Sequence, residues 1–343
     1  MLNKKKFVHL HQSNPLTNLY LSTRMFKIFI TESLHNSITE AEGRKPTQQR
    51  SNLYKILSKY KKEIHTLSSD ETLKLKNSPE KFLNNPSSLY ILDIAKDKAA
   101  AIQEQYGVMC LSGDNPDVSA LIDVNDAFVS NKFHQLEKGW DSVLDSVESL
   151  PSNALILADR YLFKNIEAKD GDGFDNIEVI LDQLLPQQFA GGDYHVCILF
   201  NKEKSAFNFS DIANGLEIVR QGVDRPYKIK MEVIGFDTHT SIHDKLHNRV
   251  IISNYYMVEA GHKLAAFNRY YGTARQTIYP LALFTESSLM GASSAPLRAI
   301  KQNLAAIKDF SEYVTKVKTF DKYLYALNGE RKDCNGIQNR LLK

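Results

Sequence analysis

The feature that most constrains this fold is a regular alternation of apolar runs and helical patterns in the second half of the chain. Three runs rich in aliphatic and β-branched residues lie at 153–158 (NALILA), 195–200 (HVCILF) and 227–236. Segments with helical spacing at 174–185 and 209–220 separate them. Short continuous apolar runs are typical of buried strands. Strand–helix–strand order therefore predicts a mostly parallel sheet with helices on both faces.

Further elements extend this prediction at both ends. Two more strands are predicted at 249–253 and 255–258, which gives the order β-α-β-α-β-β. Upstream, a strand at 88–94, a helix at 96–106 and a strand at 108–111 predict a smaller α/β unit that covers about 85–150. Helical patterns at 117–129 and 133–147 belong to the same unit.

A long apolar stripe marks the C-terminal end. From 295 to 327, apolar residues recur every three or four positions, which predicts one long helix. Two interpretations stay open: packing against the domain's own sheet, and dimerisation. We therefore divide the chain into a helical and α/β region of unknown role (1–150), a main α/β domain (151–290) and a helix with a tail (291–343).

Composition excludes several classes of protein. The 343 residues suffice for two domains, and the net charge of +3 does not by itself indicate a nucleic-acid or membrane partner. The three widely spaced cysteines argue against a disulfide framework or a zinc site. No apolar run approaches the roughly 18 residues of a membrane span, and the start lacks the apolar core of a signal peptide. We expect a cytoplasmic protein without a transmembrane segment.

One local charge excess stands out in the N-terminal region. Between Arg44 and Lys62 there are seven Lys or Arg and no acidic residue. Apolar residues at helical spacing predict an amphipathic helix at 51–66 with a basic outer face. This face is either a nucleic-acid contact or a solvated surface.

A motif with defined spacing follows the third strand. His247 and Arg249 are separated by one residue, four residues lead to Asn254, and six more lead to Gly261. This spacing resembles the His-x-Lys, four residues, Asp, six residues, Gly motif of the phospholipase D superfamily, with Arg in place of Lys and Asn in place of Asp. The resemblance implies His247 as a nucleophile on phosphorus, Arg249 as a phosphate clamp and Asn254 as a group that supports the imidazolium. Gly261 would let the backbone approach the ligand closely.

The chain is similar in particular to a divergent branch of that superfamily, the phospholipase D-like C-terminal domain of MIT-domain proteins. The similar segments are Asp159-Arg-Tyr at the end of a strand, Leu246-His-Asn-Arg, and Gly261 followed by a Phe at position 267. The similarity covers about 130 residues, from about Asn153 to Phe284. In that branch the domain resembles a binding module rather than an enzyme.

Other polar residues near the motif are candidates for binding. His243 and Lys245 form a second His-x-Lys pair, but Val250 stands at its third position, so we expect them to line the same site without forming the motif. Asp159 ends the first strand, at the edge where open parallel sheets bind ligands. A helix or turn cap is the commoner role for a residue in such a position.

Three hypotheses follow for function. The first is a metal-independent phosphodiesterase, in particular a nuclease, that needs no cofactor and forms a homodimer because the chain carries one motif where the family pairs two. The second is an inactive module that binds nucleic acid, a nucleotide or a lipid through Arg249 and Lys245. The third is a sensor–effector protein, as in bacterial antiviral defence or stress responses, in which region 1–150 controls the C-terminal domain.

Overall fold

The fold consists of two β-sheets with helices packed against them. The structure is a computed structural model that describes residues 27–40, 64–113, 132–133, 150–164, 173–240, 242–243, 249–260, 276–280, 322–325, 331–332, 334 and 336–342. The smaller sheet has four strands and the larger has nine. Within these residues, no helix combines the length and the apolar character needed to cross a bilayer.

The smaller sheet is entirely parallel. Its strands are β1 (Ile28–Thr31), β2 (Ile64–Leu67), β3 (Leu89–Leu92) and β4 (Met109–Ser112), in the order β2-β1-β3-β4. Its helices are α1 (Glu32–Glu40), α2 (Ser69–Asn77) and α3 (Lys96–Tyr106), with a 3-10 turn at Pro79–Asn84. Parallel strands need such crossover connections, which explains the alternation of strand and helix.

The larger sheet is mixed and has the order β13-β12-β8-β7-β6-β9-β10-β11-β5. Its strands are β5 (Lys132–Phe133), β6 (Ala154–Ala158), β7 (Tyr194–Asn201), β8 (Ile229–Phe236), β9 (Arg249–Ser253), β10 (Tyr256–Ala260), β11 (Gln276–Pro280), β12 (Lys322–Tyr325) and β13 (Arg331–Lys332). Strands β6, β7 and β8 are parallel, whereas β9 pairs antiparallel with β6. Helix α4 (Gly173–Leu184) connects β6 to β7, and α5 (Phe209–Gly222) connects β7 to β8.

One face of the larger sheet forms the main core. Apolar side chains of α4 and α5, such as Ile180 and Leu216, are buried in the same cluster as Val196, Ile198 and Val233 of β7 and β8. Both helices therefore lie on the same face. The C-terminal segment also contacts β6, since the Asn339 side chain donates to the Leu155 carbonyl at 2.9 Å.

The structure confirms the mixed α/β class and most predicted elements of the central region. Helix α3 has the predicted bounds, and α4, α5 and strands β6 to β9 agree within two residues at each end. The parallel β3–α3–β4 unit is confirmed as well. The expectation of helices on both faces is not met by α4 and α5, because two successive crossovers in the same direction bring both helices to one face.

Three predicted helices are wrong where the structure describes them. Residues 322–325 form strand β12, paired antiparallel with β8, instead of the end of the 295–327 helix. Residues 64–67 form β2 instead of the end of the 51–66 helix. Phe133 belongs to β5 instead of beginning a helix at 133–147. The remainder of these three segments and the helix at 117–129 lie outside the described residues, as does the basic face of 44–62.

A buried polar junction joins the two sheets. Tyr255 is fully buried, and its hydroxyl accepts a hydrogen bond from the Met109 amide at 2.8 Å and donates to the Ser88 carbonyl at 2.9 Å. The Asn153 side chain donates to the carbonyls of Pro86 at 3.1 Å and Gly107 at 2.8 Å. The smaller sheet and its helices α1 to α3, here called the N-terminal unit, are thereby fixed to the start of β6 and the end of β9.

Gly107 permits this junction, and we predict that replacing it destabilises the protein. Gly107 ends α3 with φ of +60°, and a Cβ there would lie 2.0 Å from the Ser152 carbonyl oxygen. Gly107→Ala should therefore lower the free energy of unfolding by about 2–5 kcal/mol, from the left-handed backbone and the forced displacement together. Urea unfolding measures the loss.

Gly192→Ala is the matched control for this prediction. Gly192 also has a positive φ, of +84°, but a Cβ there meets nothing within 4 Å. The control should lose only the backbone contribution, about 1–2 kcal/mol. Equal losses in the two variants would show that the contact with Ser152 does not matter.

Candidate functional site

The polar residues predicted from the sequence converge at the carboxyl edge of the central parallel strands. Strands β6, β7 and β8 end at this edge, and β9 begins there because it runs antiparallel to β6. The segments that leave the edge are 159–164, 202–208 and 237–243. Such an edge presents the loops of several strands to one ligand, which is why open α/β sheets bind ligands there.

A buried ion pair forms the base of the site. The Arg249 Nε lies 3.1 Å from the Asp159 Oδ2, and the two side chains are 13% and 5% exposed. The backbone amide of Tyr161 donates to the other carboxylate oxygen at 2.8 Å. Burial raises the pKa of Asp159, and the Arg249 guanidinium and the Tyr161 amide only partly offset this effect. Arg249 therefore favours the charged form of this carboxylate, whereas its burial opposes it.

Three cations surround the ring of Tyr161. The guanidinium carbons of Arg160 and Arg249 lie 4.8 and 5.5 Å from the ring centroid, and the Lys164 Nζ lies 5.4 Å from it. Contacts of this kind stabilise each cation by about 0.5–1 kcal/mol at exposed positions. The ring keeps positive groups close together that would otherwise repel one another.

Asn201 at the end of β7 has a fixed orientation. Its Oδ1 accepts hydrogen bonds from the amides of Glu203 at 2.9 Å and Lys204 at 3.2 Å. The side-chain amide nitrogen must then point the other way, where it lies 3.1 Å from the Thr238 Oγ1 and 2.9 Å from the His243 Nδ1. Since the Asn201 nitrogen can only donate, the Nδ1 of His243 accepts.

This hydrogen bond determines the tautomer of His243. A neutral imidazole whose Nδ1 accepts carries its proton on Nε2. The Nε2 of His243 lies 3.4 Å from the Nη1 of Arg160, which is also only a donor. The His243 Nε2–H and the Arg160 guanidinium are thus two donors that approach each other from the segments after β8 and β6. His243 is 9% exposed, and the buried Nε of Arg160 makes no hydrogen bond within the described residues.

The edge as a whole carries more positive than negative charge. Among its described residues, five are cationic and three are carboxylates: Arg160, Lys164, Lys202, Lys204 and Arg249 against Asp159, Glu203 and Asp237. Lys202 and Asp237 form an exposed ion pair at 3.1 Å. The excess of two positive charges favours an anionic ligand.

The structure brings together three of the residues predicted for the site. Asp159, His243 and Arg249 meet through Arg160 and Tyr161 at this edge. Asn254 does not join them, because it follows the far end of β9, five residues and about 17 Å along the strand from Arg249. The predicted positions Lys245, His247 and Gly261 lie outside the described residues.

Asn254 belongs to the junction between the sheets instead. It is 1% exposed, and its Oδ1 accepts from the amides of Asn153 at 2.9 Å and Ala154 at 3.1 Å. Its Nδ2 donates to the Pro86 carbonyl at 3.1 Å and the Asn153 Oδ1 at 2.9 Å. In this position it does not contact Arg249 or His243.

Sequence reasoning did not single out two residues that shape the site, Arg160 and Asn201. Arg160 is the second residue after β6, and Asn201 is the last residue of β7. Polar residues at the carboxyl ends of neighbouring parallel strands meet at one edge, so this rule applied to every predicted strand would have found them.

We predict that removing Arg249 destabilises the protein strongly and in a pH-dependent way. Arg249→Met leaves the Asp159 carboxylate buried without its cation, which should cost about 3–5 kcal/mol at neutral pH. Because the folded-state pKa of Asp159 is raised and rises further without Arg249, the folded state takes up a proton more readily than the unfolded chain. The deficit should therefore be smallest below the ordinary pKa of aspartate and grow as the pH rises through the raised value.

Urea unfolding at several pH values from about 4, near the ordinary pKa of aspartate, to about 8 measures this deficit. Lys202→Met is the control, since it removes a cation from an exposed ion pair at the same edge and should cost about 0–1 kcal/mol at every pH. A deficit of Arg249→Met that stays constant with pH would contradict the role of Asp159.

Comparison of the chain with protein-family models, with curated proteins and with solved structures gave no match.

Proposed function

We propose that this chain binds a phosphate-bearing ligand at the carboxyl edge of β6, β7 and β8. The observation that carries the proposal is the convergence of two donors, the Nε2–H of His243 and the guanidinium of Arg160. The nitrogen atoms of these two groups lie 3.4 Å apart. An anionic oxygen between them would accept from both.

The surrounding charges favour phosphate as the anion. Arg160 and Arg249 lie beside the same Tyr161 ring. An anion bound by the Arg160 guanidinium is therefore also attracted by the charge of Arg249. Phosphate offers several acceptor oxygens and up to two negative charges, which fits donors that approach from different elements. Nucleic acids, nucleotides and lipids all present this group.

The position of Asn254 favours binding without cleavage as the first candidate. In the family that the sequence resembles, the residue at this position supports the nucleophilic imidazole. Asn254 is used at the junction with the N-terminal unit, about 17 Å along β9 from Arg249. Membership of the phospholipase D superfamily remains a proposal that rests on the motif spacing.

Hydrolysis of a phosphodiester is the second candidate, favoured by the position of Arg249. Arg249 begins β9 at this edge, and His247 precedes it by two positions in the chain. In the proposed reaction an imidazole nitrogen of His247 attacks phosphorus, the bond to the leaving oxygen breaks, and that oxygen takes up a proton. Water then hydrolyses the phosphorus–nitrogen bond. A homodimer would supply a second motif.

The regulatory role expected from the sequence, as an effector in bacterial defence or stress, would use the same site. Cleavage or capture of nucleic acid would be its output. The N-terminal unit would be the part that receives the signal.

We predict that Arg160→Gln weakens phosphate binding about tenfold or more. A hydrogen bond from a charged donor contributes about 1.5–3 kcal/mol, and 1.4 kcal/mol corresponds to a tenfold change in affinity. Isothermal titration of inorganic phosphate and of a short single-stranded oligonucleotide measures the change.

Lys204→Gln removes the same charge from the same edge and serves as its control. Lys204 is exposed, and its described contact with the site is through its backbone amide. The control should retain wild-type affinity within about twofold, as expected for a screened surface charge. Equal losses in both variants would mean that only the general charge of the edge attracts the anion.

For the second candidate, we predict that the wild-type chain cleaves single-stranded DNA or RNA in EDTA and that His247→Ala does not. The reason is that the nucleophile and the cations would supply the chemistry without a metal ion. Gel analysis of labelled oligonucleotides measures cleavage, and phosphate titration of His247→Ala checks that the edge still binds. Binding without cleavage in the wild type would leave the binding module as the function.

A further inference from the structure

The two strands that carry the buried ion pair of the site also carry the junction with the N-terminal unit. Asn153 immediately precedes β6 and Asp159 immediately follows it. Arg249 is the first residue of β9, and Asn254 immediately follows the strand. The β6–β9 pair is thus bracketed by Asp159 and Arg249 at the site and by the two asparagines at the junction.

The β6–β9 pair is short and regular between the site and the junction. Each strand has five residues, and their antiparallel register runs from Leu155 opposite Ser253 to Ala158 opposite Val250. All of these residues are buried. A well-packed strand pair transmits a displacement instead of absorbing it, because close-packed interiors have few voids.

The junction is made of directional contacts with the N-terminal unit. Tyr255, next to Asn254, bonds through its hydroxyl to Met109 at the start of β4 and to Ser88 before β3. The side chains of Asn153 and Asn254 both donate to the Pro86 carbonyl at 3.1 Å. Hydrogen bonds of this kind fix the strand ends in angle as well as in distance.

From this arrangement we infer that the N-terminal unit, described at residues 27–40 and 64–113, sets the affinity of the phosphate site through the β6–β9 pair. The inference rests on the proposed function for its ligand. Docking of the N-terminal sheet holds the junction end of both strands, and the strands hold Asp159 and Arg249 in place at the other end. By linkage, binding of phosphate strengthens the docking to the same degree.

Tyr255→Phe tests the inference, because it removes only a hydroxyl at the junction, at the end of β9 away from Arg249. Tyr227→Phe is the matched control: Tyr227 is also buried, and its hydroxyl also bonds a carbonyl, that of Pro186, but that contact lies outside the N-terminal unit. Titration of the full-length variants with inorganic phosphate should show affinity about fivefold lower for Tyr255→Phe, the lower end of ordinary coupling, and within twofold of wild type for Tyr227→Phe.

A second readout makes the test independent of the ligand. The Tyr161 amide donates to Asp159 at the site, so its hydrogen exchange reports on the order of the ion pair. It should exchange about fivefold faster in Tyr255→Phe than in Tyr227→Phe, whereas the Met231 amide of β8 should change equally in both. Equal exchange of Tyr161 in the two variants overturns the coupling.

The two readouts separate the possible failures. If the wild-type chain does not bind phosphate, the proposed function fails, and the exchange of Tyr161 alone decides whether the two ends of the strand pair are coupled. If the wild type binds phosphate and Tyr255→Phe binds equally well, the coupling fails and the proposed function stands.

Discussion

A carboxylate at the end of β6 lies almost fully out of water, and the arrangement of the site depends on how its charge is balanced. Asp159 accepts one hydrogen bond from the Tyr161 amide and one from the Arg249 side chain. The first contact shapes the turn that follows β6, and the second requires β9 to begin beside it. That turn brings Arg160 to within 3.4 Å of His243. The ion pair therefore organises both the backbone and the cations of the edge.

The same region contains features that do not contribute to stability. The pKa of Asp159 is raised because burial outweighs its partners, and the donors of Arg160 and His243 face each other. Folded proteins rarely keep such arrangements where only packing is at stake, and they concentrate them at functional sites. This concentration at the carboxyl edge, and not the charge excess alone, distinguishes the edge from an ordinary polar surface.

The sequence predicted the central strands because their apolar runs are short and bounded by polar residues, as in β7 and β8. It failed for β2 and β12, where the same spacing of apolar residues fits a helix and a half-buried strand. These segments form strands because β2 pairs with β1 and β12 pairs with β8. Such long-range contacts cannot be recognised from local periodicity. Asp159 was predicted for the site because it ends a recognisable strand, whereas Arg249 was predicted from the motif spacing and His243 from the second His-x-Lys pair.

Asn254 shows why motif spacing alone did not place every site residue. Spacing along the chain does not indicate where a strand ends, and β9 ends at Ser253, at the opposite edge of the sheet. The structure also explains why an amide stands there. Its oxygen accepts from two backbone amides, while its nitrogen donates to the Pro86 carbonyl and to the Asn153 side chain.

A carboxylate at position 254 could satisfy only the accepting half of these contacts. Its second oxygen would face the Pro86 carbonyl and the Asn153 Oδ1 at about hydrogen-bond distance, so that acceptor would meet acceptor. Burial of the charge would add to the cost. Asparagine is therefore the residue that the junction with the N-terminal unit requires at position 254.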